Sequence, residues 1–514
     1  MAKNVAIAVT YLVESRFNMM GSRDRQKQLW SYRVNLDKRV RTDHPLRKFN
    51  ELLKLDFVRE EVANCYGTKG NVSEDPAVII KMMLLLFLDN VRSERELMRI
   101  IPERLDYMWF LGYGLDDAIP NHSVLSKARK RWGQEVFVSL FSRVVAQCVS
   151  AGLVEGSKIH LDSSLVDAHA SLNSVRELDA ASLAQIRKAC LEETQKLDEV
   201  EHPKNQTDED QKPNPPGPDS PKTTNEKFQS STDPEATLTR QQGLRARPRY
   251  KNHRVVDDAQ GIVTALKTTT GIVNEAHELM GLIDQHQVNA GVAAKTIIAD
   301  CKYGTVENYI ACQNRKLRTH MADLLASSAG SGRRDEIYPE SQFLYRAQSD
   351  TYLCPAGQVM RPRRLHPVRL SWEYVTKRGV CLSCRLREFC TRSKTGRSIK
   401  RHRDQALLDR ARRQANTKRA KLDRKRRQHL VERSFADAAN RHGFKRARWR
   451  GLIKQSIQDL LIATIQNLRK LIGTIQNLPG NAWNALLRIF SLSYVTLSAL
   501  CTTSSPTRLI LGLI

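Results

Sequence analysis

The chain has 514 residues, of which 41% are apolar and 27% charged, so it is long enough for several domains with hydrophobic cores. Its 83 Lys and Arg residues against 55 Asp and Glu give a net charge of +28, which exceeds what solubility requires and indicates a polyanionic partner, most simply nucleic acid. The ten cysteines are too sparse for a disulfide scaffold, and no secretory leader or bilayer-spanning segment is recognisable, so we expect a cytoplasmic protein without a membrane partner.

The first 150 residues are predicted to form an all-helical domain. Ser93 and Glu96 have the spacing of a capping box, and apolar residues between 136 and 148 recur at helical spacing. Between these segments a predicted helix carries four cations, which are Lys127, Arg129, Lys130 and Arg131. Such a helix either lies along DNA, as in helix-turn-helix proteins, or forms the solvated face of a bundle, and the residues leave both readings open.

From residue 157 the pattern changes to that of a mixed α/β domain. Residues 158–166 alternate as in a strand, 250–256 and 262–266 form a predicted hairpin, and 296–299 form a short buried strand. Helical patterns follow at 303–313 and 450–470. A flexible insertion at 183–236, rich in Pro and polar residues, and a longer insertion at 314–430 are predicted to interrupt this domain.

Three acids are candidate metal ligands. Asp162 lies within the first predicted strand, Asp300 ends the strand at 296–299, and Glu432 borders an apolar helical stripe. Hydrolysis of a phosphodiester is well served by two Mg²⁺ ions about 4 Å apart, which prefer carboxylate oxygens from converging elements. A single Asp at a strand end is, however, usually a turn or helix-cap residue, and Asp257 with Asp258 in the predicted hairpin loop is read as turn chemistry.

Several blocks together resemble DDE-type transposases of bacterial insertion sequences that have a helical N-terminal domain. The blocks are AIPNHS at 118–123, GLV at 152–154, HLDSS at 160–164, YKNHRVVD at 250–257, ADCKYG at 299–304 and HGFKRARWRG at 442–451. The similarity runs from about residue 40 to 475 in the same order. It implies a ribonuclease H-like catalytic fold and a catalytic triad of Asp162, Asp300 and Glu432 that binds two Mg²⁺ or Mn²⁺ ions.

The resemblance also implies a function and a domain organisation. The enzyme would cut double-stranded DNA at terminal inverted repeats and join the freed 3′ hydroxyl to target DNA, usually as a homo-oligomer. The expected parts are a helical DNA-binding domain (1–150), the first part of the catalytic domain (151–313), an insertion (314–430), helices carrying the glutamate (431–475) and an unassigned tail (476–514).

The sequence departs from this family pattern beside Glu432. The pattern generally places Lys seven residues beyond the glutamate and Arg four before it, whereas this chain has Ala439 and Gln428. Arg427, Arg433 or Arg441 could compensate. Two alternatives therefore stay open, namely a nuclease of the same fold that cuts without joining, and a catalytically decayed DNA-binding protein.

The 314–430 insertion contains four cysteines that are candidate zinc ligands. Cys381 and Cys384 have the C-x-x-C spacing, and Cys354 with Cys390 can complete a structural Cys₄ site in a zinc-ribbon-like, basic insertion. The alternative is four reduced, unliganded thiols.

A long basic segment follows the cysteines. Residues 392–450 hold 22 Lys and Arg against five acids, which suits contact with DNA phosphates better than base recognition. The candidate DNA-binding residues here are Arg427, Arg433, Lys445, Arg446, Arg448 and Arg450.

Overall fold

The computed structural model describes residues 34–67, 72–177, 224–240, 245–323, 337–367 and 369–476. The tail at 477–514 lies outside the described residues, as does the predicted flexible insertion up to residue 223. Within the described ranges no helix is both long enough and apolar enough to cross a bilayer.

The N-terminal part is helical, as predicted. Its helices are α1 Leu36–Arg39, α2 Pro45–Leu52, α3 Asp56–Val62, α4 Pro76–Leu88, α5 Glu94–Ile100, α6 Leu105–Leu111, α7 Ser123–Trp132 and α8 Glu135–Ser150. The Ser93 hydroxyl caps α5 by accepting a hydrogen bond from the backbone N–H of Glu96 at 3.2 Å. The central α4 is buried over almost its whole circumference because its neighbours surround it.

The middle of the chain forms a mixed sheet of β1 Lys158–Asp167, β4 Thr237–Thr239, β5 Arg247–Asp257, β6 Val263–Thr270, β7 Thr296–Ile298 and β8 Arg318–Thr319. The strand order is β4-β5-β1-β7-β8, and β6 also pairs with β5. Pairings of β5 with β1, β4 and β6 are antiparallel, whereas β1, β7 and β8 run parallel. A separate two-stranded antiparallel sheet of β2 Val175–Glu177 and β3 Phe228–Ser230 lies beside it, and the short helix α9 Thr224–Lys227 directly precedes β3.

The predicted β5–β6 hairpin is confirmed, and so is the predicted role of Asp257 in its turn. The carboxylate of Asp257 accepts hydrogen bonds from the backbone N–H groups of Gly156 at 2.8 Å and Ala259 at 2.9 Å. It therefore ties the loop before β1 to the hairpin turn.

Two helical layers cover the sheet. Alternate residues of β1, Ile159 and Leu161, pack with α10 Leu279–Ala290 and α11 Val306–Asn314 on one face. The opposite face, which carries His160 and Asp162, is covered by α14 Lys418–His442, and α15 Leu452–Gln476 packs on β6 and continues the core into α4 and α8. The last helix thus joins the sheet to the N-terminal helices.

A second sheet lies between α11 and α14 in sequence. It is an antiparallel meander of β9 Leu344–Arg346, β10 Thr351–Leu353, β11 Val359–His366, β12 Ser371–Val375 and β13 Ser398–His402, with the short α12 Arg387–Cys390 before β13. Its small core contains Phe343, Met360 and Tyr374. Strand β8 belongs to the first sheet, α13 Gln405–Ala415 packs on it, and α14 runs uninterrupted through residues 430 and 431. The separate sheet is therefore shorter than the 314–430 range expected from sequence.

Candidate active site

Asp162 and Asp300 lie close together, Asp162 within β1 and Asp300 just beyond the parallel strand β7. The register pairs His160 of β1 with Ile298 of β7, and each aspartate follows two residues later in the chain. The Arg427 guanidinium of α14 contacts both, with Nη1 2.5 Å from the Asp162 carboxylate and Nη2 3.9 Å from that of Asp300. The parallel pairing of β1 with β7 therefore brings Asp162 and Asp300, two of the three predicted acids, close together.

The electrostatics of this pair favour a bound cation. Burial raises the pKa of Asp162, whereas Arg427 and the Ser163 N–H lower it and the charge of Asp300 raises it further. Two carboxylates that share one face repel each other unless positive charge lies between them. Arg427, whose side chain is only 12% exposed, supplies that charge, and its guanidinium stands in for a cation on the carboxylates.

Glu432 is not joined to the two aspartates. Val431 and Phe435 of α14 are buried, as the sequence pattern predicted, whereas Glu432, which was expected at the border of this stripe, is exposed. Five residues separate it from Arg427, a rotation of about 140° around the helix axis. Among the described residues no three Asp, Glu, His or Cys side chains converge closely enough to ligate a metal ion.

An ionic cluster supports the end of β1 and was missed by sequence reasoning. The Glu275 carboxylate accepts a hydrogen bond from Ser163 at 3.1 Å and lies 3.2 Å from the ammonium of Lys251 and 3.3 Å from that of Lys302. Burial opposes ionisation, but a backbone hydrogen bond and both lysines hold the pKa of Glu275 at about 2. The two lysines lie in the blocks at 250–257 and 299–304, but no spacing indicated Glu275.

A buried arginine anchors α14 to the sheet beside Asp162. Arg254, the cross-strand partner of Asp162, donates to the Ser434 hydroxyl at 2.9 Å and to the Gln466 side chain at 3.1 Å. Its guanidinium also lies over the Phe435 ring at 4.4 Å. Because these partners belong to α14 and α15, one side chain fixes both helices over the candidate site.

The candidate DNA-binding cations divide into exposed and inward-facing groups. Arg129 is buried, ion-paired with Glu94 at 2.5 Å and stacked on Trp449 at 3.8 Å. Arg448 donates to the backbone carbonyls of Leu86 and Val91, and burial lowers its pKa to about 10. Both therefore hold the N-terminal helices to the segment after α14, which is a structural role. The exposed candidates are Lys127, Lys130, Arg131, Arg433, Lys445, Arg446 and Arg450.

Lys445 is the exposed cation whose contact lies next to the candidate site. Its ammonium donates to the Ser164 hydroxyl at 2.7 Å. Ser164 follows Asp162 by two residues on β1, so its side chain lies on the same face about 7 Å along the strand. The loop that carries Lys445 is fixed there because Asp167 exchanges backbone hydrogen bonds with Lys445 and Ala447.

The four insertion cysteines line one small pocket beneath the second sheet, together with Phe343 and Met360. Burial raises the pKa of Cys390, and the charges of Cys354, Cys381 and Cys384 raise it further. The sheet therefore gathers the thiols, although no three of them converge within ligating distance of one point.

Comparison with known protein families finds two matching segments of the chain. Residues 34–131 match a transposase domain, and residues 353–472 match a transposase DDE domain. The second match includes most of the second sheet and helix α14, which carries both Arg427 and Glu432, whereas Asp162 and Asp300 lie outside both matches. No curated protein matches the chain.

Proposed function

We propose, from the premise that this chain belongs to the DDE transposases of insertion sequences, that it binds the terminal inverted repeats of its element and catalyses metal-dependent DNA cleavage and strand transfer. The observation that carries the proposal is the pairing of Asp162 with Asp300 around a positively charged group. Incubating the protein with labelled element ends, target DNA and Mg²⁺ or Mn²⁺ tests it, because cleaved ends and joined products are distinguishable on a gel.

The sheet topology supports a ribonuclease H-like catalytic fold. Three antiparallel strands, β6-β5-β1, continue into two strands parallel to β1, which are β7 and β8. The first acid lies in the central strand β1 and the second just beyond its parallel neighbour β7, and the third lies on α14, the helix that covers this face.

Asp162, Asp300 and Glu432 are the residues that we assign to a pair of divalent ions, Mg²⁺ or Mn²⁺. Such ions activate the attacking water or hydroxyl and neutralise charge on the leaving oxygen. The two neighbouring aspartates offer only oxygen ligands, which hard cations such as Mg²⁺ and Mn²⁺ prefer. Arg427, which contacts both aspartates, would be freed toward a DNA phosphate once cations occupy the carboxylates. Lys445, whose ammonium donates to Ser164 two residues beyond Asp162 on β1, would position the adjacent phosphate in place of the lysine missing at Ala439.

Arg427→Ala is expected to tighten Mn²⁺ binding to the DNA-free protein about tenfold, because the guanidinium no longer competes for Asp162 and Asp300. Tenfold corresponds to about 1.4 kcal/mol, the scale of one charge-assisted hydrogen bond. Titration calorimetry with Mn²⁺ measures the change. Arg426→Ala is the matched control, since Arg426 pairs with Asp258 instead, and unchanged or weaker Mn²⁺ binding by Arg427→Ala would rule out the competition.

The exposed cations of the N-terminal helix α7, Lys127, Lys130 and Arg131, are proposed to contact the terminal repeats, and Arg433, Arg446 and Arg450 to contact the backbone near the cleavage site. Double-stranded DNA is thus the proposed partner of both groups of cations, and the protein is proposed to act as a homo-oligomer. A nuclease of the same fold would give cleaved ends without joined products, and a decayed DNA-binding protein would give neither.

We also propose that Cys354, Cys381, Cys384 and Cys390 hold one structural Zn²⁺ in a zinc-ribbon-like insertion. Four thiols around one pocket are a suitable donor set for zinc. Protein purified under reducing conditions without chelator is expected to contain about one zinc per chain, and Cys381→Ser/Cys384→Ser about none. Elemental analysis measures this, with the exposed Cys65→Ser as control. Less than about half an equivalent in the parent protein argues against the site.

A further inference from the structure

An open, positively charged cleft lies at the start of the parallel strands, away from the candidate active site. Its walls include five exposed cations, Lys295, Lys316, Arg318, Arg410 and Arg419. They come from the loop before β7, the segment leading into β8, and helices α13 and α14. The hydrogen-bonding side chains Gln313 and Gln414 line the same cleft and contact each other at 3.0 Å.

These five cations have no carboxylate partner within the described part of the chain. Two acids also line the cleft, and each has another polar partner. The Asp258 carboxylate lies 2.7 Å from the His160 ring and 2.7 Å from the Arg426 guanidinium, and the Glu155 carboxylate accepts a hydrogen bond from the Ser157 hydroxyl at 2.7 Å. Like charges around one cavity repel each other unless a multivalent anion enters it.

The position of the cleft relates it to the two aspartates. Strand register aligns Lys158, Thr296 and Arg318 in a row across β1, β7 and β8. Lys158 and Asp162 lie on the same face of β1 and are separated by about 13 Å at the rise of a strand. Helix α14 runs past both places, since its Asp423 pairs with Lys158 and its Arg427 with Asp162.

We propose that this cleft binds the phosphodiester backbone of duplex DNA about four base pairs from the strand held at Asp162 and Asp300. The spacing follows from a rise of about 3.4 Å per base pair. This inference rests on the proposed function in one respect, which is that the DNA bound in the cleft is the same DNA that reaches the active site. We expect the cleft to contact phosphates and not base edges. Lys and Arg side chains, with the amides of Gln313 and Gln414, make up much of its lining, and such contacts carry no sequence information.

A matched pair of double variants tests the cleft. In the Asp162→Asn background, Lys316→Gln/Arg318→Gln is expected to weaken binding of a labelled 30-base-pair duplex of arbitrary sequence about 30-fold at ~0.1 M salt, and to reduce the slope of log affinity against log salt by about 1.8. Arg315→Gln/Lys267→Gln removes the same charge from cations paired with Asp284 and Glu278. Fluorescence anisotropy of the duplex in a salt series gives both values.

Three outcomes separate the explanations. A smaller slope in the cleft variant alone supports the proposal. Equal slopes in the two variants overturn it, and so does tight binding of inorganic tripolyphosphate that the cleft variant abolishes while duplex binding stays unchanged. Binding is measured without cleavage, so the two proposals can fail separately. If the parent protein does not cut DNA but the cleft variant shows the smaller slope, the proposed activity is refuted and the cleft proposal stands.

Discussion

Asp162→Asn and Asp300→Asn are each expected to lower the rate of DNA strand cleavage by at least about 1,000-fold. Each substitution keeps the side-chain volume but removes one of the two negative charges that lie on neighbouring strands around Arg427. Hard divalent cations bind neutral amides much less well than carboxylates. Single-turnover cleavage of labelled element ends in Mg²⁺ measures the loss.

The matched control for this pair is Asp284→Asn, an exposed acid of α10 that is ion-paired with Arg315. It removes one carboxylate of the same type from the protein surface, and its cleavage rate is expected to stay within about twofold of the parent. Thermal unfolding of each variant separates lost chemistry from lost folding. Parent-like cleavage by both Asp162→Asn and Asp300→Asn would remove the proposed site altogether.

The third acid belongs to the same series but is tested separately. Glu432→Gln is expected to reduce cleavage about as strongly, which requires that DNA or metal binding brings the exposed glutamate toward the aspartates. Asp437→Asn on the same helix is the comparison, because Gln466 and Arg441 already hold that carboxylate. Cleavage by Glu432→Gln at the parent rate would show that Glu432 is not a metal ligand, and the assignment of the two aspartates would be unaffected.

Arg254→Ala is expected to lower the free energy of unfolding by about 4 kcal/mol. The substitution leaves a cavity in the core, because Arg254 is fully buried. It also removes the guanidinium N–H groups that donate to Ser434 of α14 and Gln466 of α15. Its stacking on Phe435 is lost as well. Denaturant unfolding followed by circular dichroism measures the change.

Two companion variants separate the contributions at this position. Arg254→Met fills most of the volume, so its remaining deficit reports the lost hydrogen bonds, for which we expect about 2 kcal/mol. Lys267→Met on β6 is the surface control, because the 57% exposed Lys267 pairs with Glu278, and it is expected to change stability by less than about 0.5 kcal/mol. An Arg254→Ala protein as stable as the parent would show that α14 is held over the sheet by other contacts.

The contacts that each side chain makes were harder to predict from the sequence than the helices and strands. Arg129 and Lys130 are adjacent in one basic helix, yet Arg129 is buried against Glu94 and Trp449 while Lys130 is exposed. Helical spacing can assign a face to each residue, but Trp449 lies more than 300 residues away in the chain. No local pattern indicates which distant side chain will cover that face.

The sequence by itself determined the alternating strands, the β5–β6 hairpin, the capped helices and the placement of Asp162 within a strand and of Asp300 just after one, because periodicity and turn chemistry act over a few residues. Only the tertiary structure decided that Arg427 bridges these two aspartates, that Glu432 stays on the exposed side of α14, and that cations from four separate segments form one cleft. Those outcomes depend on strand register and helix packing between segments that are distant in the chain, where burial and charge pairing act on the folded chain as a whole.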